Sequence, residues 1–391
     1  MVISMNYIDI ALDPTRILNH LSIIKNKCAL VESGNFKDEM LHKAGHIELQ
    51  LTDRCQLNCA NCHFRGLGDY DFNIDWLENI IKYIKPKAVT FAGGGEPTVY
   101  KHFNDVVVKL GKNPEIQMGL ITNGVFIPDG RWHKKISWIR ISVYSVINNK
   151  YAGRSAKLIK KVLANIKWYL SYTDVPNIGV HFLFYKENID ECVNFAKRIY
   201  EVFREYTYNR LHIQFKPAFV IARPTILTQN LHKENIRLLP THDQIEKVIS
   251  NFQIEADNNR SFKEFLENRS NYVIFKKLHN SYLKKLVNIT NPSTMDYKKF
   301  KYCYVCLAFQ LIAPDGIIYP CLTLAEYRHE KFSLCHISDL SKSFNGRLYD
   351  FYQANTECCN DVFCRNYNQN QIVKNALIKN KNTTISEDMF F

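Results

Sequence analysis

Three cysteines in one short run, Cys55, Cys59 and Cys62, carry the clearest chemistry in this 391-residue chain. Their spacing, C-x3-C-x2-C, puts three thiolates on one loop. Such a loop can hold three irons of a [4Fe-4S] cubane and leave the fourth iron open to another ligand. A zinc site completed by His63 is the alternative, because structural zinc takes four Cys or His ligands. The second feature is Gly93-Gly94-Gly95-Glu96-Pro97-Thr98. Consecutive glycines let backbone N–H groups approach a ligand closely, and Glu96 offers a carboxylate to an ammonium. The third feature is a later cysteine group. Cys303 and Cys306 are a C-x2-C pair, and Cys306, Gly316 and Cys321 follow C-x9-G-x4-C. That spacing places a cysteine at each foot of a hairpin, so both thiols can face one metal; a zinc ribbon is the alternative there.

These residues need elements to position them. Residues 47–52 alternate apolar and polar as a strand does, and Cys55 follows directly. Residues 88–92 form a second strand that runs into the glycines. Further strands are expected at 116–121, 138–144, 178–185 and 211–215, with helices at 73–83, 103–110, 157–169 and 189–206 between them. Six strands alternating with helices imply parallel β/α units in a barrel or an open sheet. Residues 1–45 read as a helical lead-in, 46–222 as the barrel, 223–300 as a polar helical linker region, 301–367 as a cysteine-rich extension and 368–391 as a polar, fraying tail. Residues 308–320 form a hairpin turning at Asp315-Gly316, and a helix is expected over 338–354, weakened by Gly346.

The pairing of C-x3-C-x2-C with Gly-Gly-Glu one strand later resembles the radical S-adenosylmethionine superfamily over about residues 46–220. The resemblance implies an α/β fold, a partial (β/α)6 barrel, with a small cysteine-rich α+β C-terminal extension. It implies that Cys55, Cys59 and Cys62 hold a [4Fe-4S] cluster whose open iron chelates S-adenosylmethionine. One-electron reduction would then give a 5′-deoxyadenosyl radical that abstracts hydrogen from substrate. Gly93, Gly94, Gly95 and Glu96 would meet the methionine ammonium. Ile121-Thr122-Asn123-Gly124 and Arg140-Ile141-Ser142-Val143 resemble the ends of the family's third and fourth strands, which gives Asn123 and Ser142 cofactor contacts. Asn61 stands where many members have an aromatic residue, with Phe64 beyond Cys62.

The later cysteines resemble the SPASM/twitch extension, which carries auxiliary iron–sulfur clusters. One auxiliary cluster is favoured, held by Cys303, Cys306, Cys321 and one of Cys358, Cys359 or Cys364, with Cys364 preferred; two clusters remain an alternative. Cys335 is a further ligand, a buried thiol, or a hydrogen-atom donor as in some family epimerases. Leu322 replaces the Asp of sulfatase-maturing relatives, which argues against that activity. A molybdopterin-precursor cyclase shares the C-x2-C and later-cysteine arrangement, but its arginine- and glycine-rich tail is not matched by the ending Asp388-Met389-Phe390-Phe391, so that activity is not expected.

Bulk composition narrows the class. The chain is 46% hydrophobic and 23% charged, which excludes wholesale disorder. Twelve cysteines, no secretory signal and no membrane-length apolar run lead us to expect a cytoplasmic protein using its thiols for metal or redox chemistry. Cys28 and Cys192 read as ordinary core residues. The net charge of +13 suits either dispersed surface lysines or an acidic partner. No nucleic-acid motif accompanies it, so nucleic acid and membrane are not expected partners. The resemblance further implies a ribosomally made peptide as substrate. A sugar or nucleoside handled by a dehydrogenase or epimerase is the alternative, and a non-catalytic metal-binding scaffold the third. Radical chemistry of this kind also implies an electron donor such as a flavodoxin or ferredoxin.

Overall fold

Short apolar runs alternating with amphipathic helices bury all their apolar surface when the strands lie parallel and the helices cover them. The structure, a computed structural model, describes residues 14–35, 39–59, 62, 64, 68–143, 154–206, 210–217, 240–273, 275, 301–340, 345–353 and 367–378. A helical lead-in ending in α1 (Leu21–Glu32) precedes β1 (His46–Leu49). The chain continues through β2 (Ala88–Phe91), α2 (Phe103–Leu110), β3 (Gln117–Thr122), β4 (Trp138–Ser142), α3 (Ala156–Tyr172), β5 (Asn177–Phe184), α4 (Glu191–Phe203) and β6 (Leu211–Pro217). All six strands are parallel and stand in sequential order, β6-β5-β4-β3-β2-β1. Sequential winding is the barrel pattern rather than the doubly wound one, whose strand order reverses.

Local sequence accounts for these elements. Ile47, Leu49 and Leu51 are fully buried on one face of β1, as period-two alternation requires. In α2 the buried set is Phe103, Val106, Val107 and Leu110, the i, i+3, i+4, i+7 stripe of a core-facing helix. Ser155 caps α3 by accepting from the Leu158 amide at 3.3 Å. The helix expected at 73–83 is irregular: it opens with a 3-10 turn and closes with a π turn over Ile80–Ile84. Lys85 then takes a left-handed backbone, φ 48°, because the following Pro86 disfavours a further helical residue.

Beyond the barrel, α5 (His242–Asn258) starts with a capping box between Thr241 and Gln244, and α6 (Arg260–Arg269) follows. Ile245, Val248, Phe252, Phe262, Phe265 and Leu266 on these helices are buried, so this described part of the expected linker contributes to the core. The C-terminal hairpin turns at Asp315-Gly316 as expected and adds β7 (Phe309–Ile312), β8 (Ile317–Tyr319) and β9 (Cys335–His336) to the sheet. β7 pairs with β1 in parallel, His46 opposite Phe309 and Leu49 opposite Ile312. The helix expected at 338–354 is shorter, α7 (Asn345–Tyr352). The expected fraying tail is corrected over its first part: α8 (Tyr367–Ile378) is a helix. Asn370, Val373 and Ala376 on it are buried, and this spacing of three gives the polar segment a face to dock. No helix among the described residues is long and apolar enough to cross a membrane.

The central strands should carry most of the stability. Leu120 on β3 has no exposure, so Leu120→Ala is expected to cost about 2–5 kcal/mol. The exposed Tyr172→Ala should change stability by less than about 0.5 kcal/mol. Urea denaturation compares the two.

Candidate functional site: a cysteine loop on a glycine–glutamate turn

The stem of the cysteine loop is fixed before the first cysteine. The Phe72 amide donates to the Leu51 carbonyl at 2.9 Å, and the Asp53 amide to the Tyr70 carbonyl at 2.9 Å. Thr52 Oγ1 donates to Asp71 Oδ1 at 2.6 Å, and Arg54 pairs with the other oxygen of Asp71. Cys55 is exposed, while Cys59 and Cys62 are half-buried. Cys55 Sγ accepts from the Leu57 amide at 3.4 Å and from Asn123 Nδ2 at 3.7 Å. The Cys62 amide closes the loop on the Cys59 carbonyl at 3.2 Å. Burial pushes the Cys59 thiol up to about 11; Arg154 opposes this, while Cys62 and Cys55 add to it. Burial also raises Cys55. The three sulfurs therefore feel one another's charge, and a metal that takes them as thiolates must displace their protons. Asn61 and His63 lie outside the described residues, and Phe64 is half-buried.

The glycine turn after β2 is seated on that stem. The Gly95 amide donates to the Thr52 carbonyl at 2.6 Å and the Glu96 amide to the Arg54 carbonyl at 2.9 Å. Gly93 and Gly94 have φ of 71° and 61°. A Cβ on Gly94 would stand 2.7 Å from the Thr52 carbonyl oxygen, and one on Gly95 would collide with the Arg54 carbonyl. Sequence suggested that these glycines open the backbone to a ligand. In the structure they let two backbones touch, and two of the turn's amides are spent on the stem.

Glu96 is 3% exposed, and its carboxylate gathers four donors. Oε1 accepts from the Thr98 amide at 3.2 Å, Thr98 Oγ1 at 2.7 Å and Thr122 Oγ1 at 2.6 Å. Oε2 accepts from the Asn123 amide at 2.7 Å. Burial raises the carboxyl and these hydrogen bonds lower it. Only Oε2 keeps capacity for an ammonium. Asn123 completes the circuit: its Oδ1 accepts from Gln56 Nε2 at 3.2 Å and its Nδ2 reaches Cys55. Glu96, the end of β3 and the cysteine loop are thus one connected unit. Ser142, buried at the end of β4, lies on the same rim as Asn123.

Two arginines at this rim escaped sequence reasoning. Arg154, 2% exposed, donates to the Asn123 carbonyl at 3.0 Å and acts electrostatically on Cys59. Arg328 comes from the C-terminal extension with a left-handed φ of 46°. It donates to Gln50 Oε1 at 2.9 Å and pairs with Asp53 at 2.8 Å, the two side chains 8% and 1% exposed. Asp315 stands 3.7 Å away. Burial raises Asp53 and Arg328 lowers it again. Neither arginine belongs to a motif, and a left-handed arginine carries no sequence signal.

Cys306 and Cys321 lie toward the other end of β1. Cys306 lies in the turn Val305–Ala308 just before β7, whose first residue pairs with His46, the first residue of β1. Leu311 pairs with Tyr319, so the antiparallel hairpin returns Cys321 to the level of Phe309, close to Cys306. Cys306 Sγ donates to the Cys303 carbonyl at 3.0 Å. Cys303 is pulled down to about 7 by the Cys306 thiol, against burial, with help from the Cys306 and Val305 amides and Asn370. Asn370 Nδ2 reaches Cys303 Sγ at 3.8 Å, and its Oδ1 accepts from the Tyr304 amide at 2.7 Å. Cys358, Cys359 and Cys364 lie outside the described residues. Cys335 sits on β9, three strands from β1, roughly 14 Å at the usual strand spacing. Burial pushes its thiol up to about 12, and no contact joins it to the Cys55 rim among the described residues. Cys28 and Cys192 are buried, as expected of core residues.

Ligands at about 2.3 Å from zinc place their sulfurs roughly 3.8 Å apart. Among the described residues, the one trio of ligand atoms all within 4.8 Å of one another is His242, Asp243 and Glu246, exposed at the start of α5. The cysteine trios are wider.

Residues 49–199 match the family model of the radical SAM superfamily. They form a radical SAM domain. The Pyrococcus furiosus protein named tungsten-containing aldehyde ferredoxin oxidoreductase cofactor-modifying protein is 28% identical over 169 residues, 39% of this chain and 47% of that protein. A Clostridium perfringens GTP 3′,8-cyclase is 31% identical over 102 residues, 24% of this chain and 31% of its own. The chain spans less than half the length of either relative. The solved structure of native anSMEcpe with bound AdoMet and Cp18Cys peptide aligns at TM-score 0.48 and 16% identity, covering 85% of this chain and 97% of that one. The radical SAM domain ends before the residues that carry Arg328 and the later cysteines.

Removing one partner of a buried pair leaves the other charge uncompensated, at about 3–5 kcal/mol. Arg328→Met should destabilise the protein by that amount, and Asp53→Asn together with Arg328→Met should recover more than half. A double-mutant cycle in urea measures the coupling; strict additivity would contradict the pair.

Proposed function

We propose that the chain is a radical SAM enzyme acting on a ribosomally made peptide. Cys55, Cys59 and Cys62 hold a [4Fe-4S] cluster, and Gly93, Gly94, Gly95, Glu96, Asn123 and Ser142 surround S-adenosylmethionine. When bound, these groups would supply reductive cleavage: one electron from a flavodoxin- or ferredoxin-like donor would break a carbon–sulfur bond of S-adenosylmethionine, releasing methionine and giving a 5′-deoxyadenosyl radical able to abstract hydrogen from the substrate. The observation that carries this proposal is the Glu96–Asn123–Cys55 circuit, which ties the first of the three thiols to the glycine turn. The protein's own part is positional. Glu96 Oε2 has capacity left for an ammonium, and Asn123 orients Cys55. Arg154 brings a guanidinium beside Cys59, where it suits a carboxylate.

Cys303, Cys306 and Cys321 hold an auxiliary iron–sulfur cluster, with Cys364, or else Cys358 or Cys359, as fourth ligand. The extension and the +13 charge favour a peptide with an acidic segment. A small-molecule substrate is the second possibility, favoured by the similarity to a GTP 3′,8-cyclase.

Anaerobic reconstitution with dithionite and S-adenosylmethionine should yield 5′-deoxyadenosine, and Cys59→Ala should yield none; equal yields would contradict the assignment. Acidic peptides should raise that yield, whereas a response to GTP alone would favour the second possibility. Iron analysis should give about eight irons per chain, falling to about four in Cys303→Ala/Cys306→Ala. Losing a charge-assisted bond costs about 1.5–3 kcal/mol, so Arg154→Met should weaken S-adenosylmethionine binding at least tenfold by equilibrium dialysis.

A further inference from the structure

The side chain of Lys27 points from α1 into the interior. The residue has no exposure, and its Nζ meets no hydrogen-bond acceptor. A buried ammonium without an anion is among the costliest arrangements in a protein interior. The charged groups that act on it are few. Burial pulls the Lys27 ammonium down to about 7 and Cys306 opposes this, while Lys27 in turn disfavours protonation of His42. α1 packs directly on the turn that carries Cys306. The same turn is fixed by α8: Asn370 Nδ2 reaches Cys303 Sγ at 3.8 Å and its Oδ1 accepts from the Tyr304 and Val305 amides at 2.7 and 3.2 Å. A fully buried amine without a hydrogen-bond acceptor thus sits on a helix packed against the turn that carries Cys306.

We infer that Lys27 is the buried counter-charge of the auxiliary iron–sulfur cluster held by Cys303, Cys306 and Cys321. The inference rests on the auxiliary-cluster assignment made above. A thiolate-ligated cluster is anionic and gains a further negative charge on reduction, so a fixed ammonium beside it favours the reduced state. Net charge and the surroundings of the sulfurs are among the factors that set cluster potentials. Lys27 is a positioning and tuning residue: it touches neither substrate nor the Cys55 rim, and the lead-in helix thereby gains a part in redox chemistry.

The test uses the full chain with Cys55→Ala, Cys59→Ala and Cys62→Ala, so that only auxiliary iron remains, and an EPR-monitored redox titration. Lys27→Met should lower the midpoint by at least a tenfold change in the reduction equilibrium, 59 mV for one electron. Lys27→Arg should stay within threefold of the parent. An unchanged or raised midpoint in Lys27→Met overturns the inference while leaving the cluster assignment standing. Absence of iron in the parent overturns the assignment and the inference with it. Stability of the metal-free protein is a second readout. Without the cluster the buried Nζ meets no acceptor, so Lys27→Met should melt at or above the parent temperature. A clear fall would contradict an unpartnered Lys27.

Discussion

One buried carboxylate organises the rim of the barrel. Glu96 is removed from water, which would be prohibitive for an unpaired charge. Four donors from two places along the chain compensate it: its own turn through Thr98, and the end of β3 through Thr122 and Asn123. Parallel strands do not by themselves fix their loops, so the shared carboxylate sets where β2 and β3 release the chain. Asn123 extends the same set of bonds to Cys55 and Gln56. The start of the cysteine loop is therefore held by the ends of regular elements.

The extension uses β1 from both ends. Its hairpin pairs with β1 along the whole strand. At the rim, Arg328 inserts between Gln50 and Asp53, next to the glycine turn. At the opposite end, the turn that carries Cys306 packs on α1. A four-residue strand spans roughly 13 Å, so β1 separates the two cysteine groups by a distance of that order and connects them by one rigid element. Residues outside the radical SAM domain thus contribute to both ends of its first strand.

Much of this was legible in the sequence. All six parallel strands fall within two residues of the expected bounds at most ends, because apolar runs of that length leave few alternatives once helices separate them. The hairpin at Asp315-Gly316 followed from its turn residues, and Gly316 takes the expected positive φ of 84°. The helix after the cysteine loop was less regular than its periodicity, since Pro86 forces the chain out of it. The role of Glu96 was only half visible: a motif suggests what a carboxylate could bind, but Thr122 lies 26 residues away and only the fold brings it close. Arg154, Arg328, Asn370 and Lys27 were invisible for the same reason. Each is an ordinary polar residue in sequence, and each acquires its significance from burial beside a charge or a sulfur. The polar character of residues 367–378 likewise hid a docking face of three residues.

The most direct test of the account is whether S-adenosylmethionine binds the cluster of Cys55, Cys59 and Cys62 itself. Electron–nuclear double resonance on the reduced, reconstituted protein, with 15N in the amino group of S-adenosylmethionine, measures this. The account predicts a 15N hyperfine coupling to the cluster that disappears when S-adenosylmethionine is omitted. A cluster signal with no such coupling, at saturating S-adenosylmethionine, would contradict an open iron facing the glycine–glutamate turn.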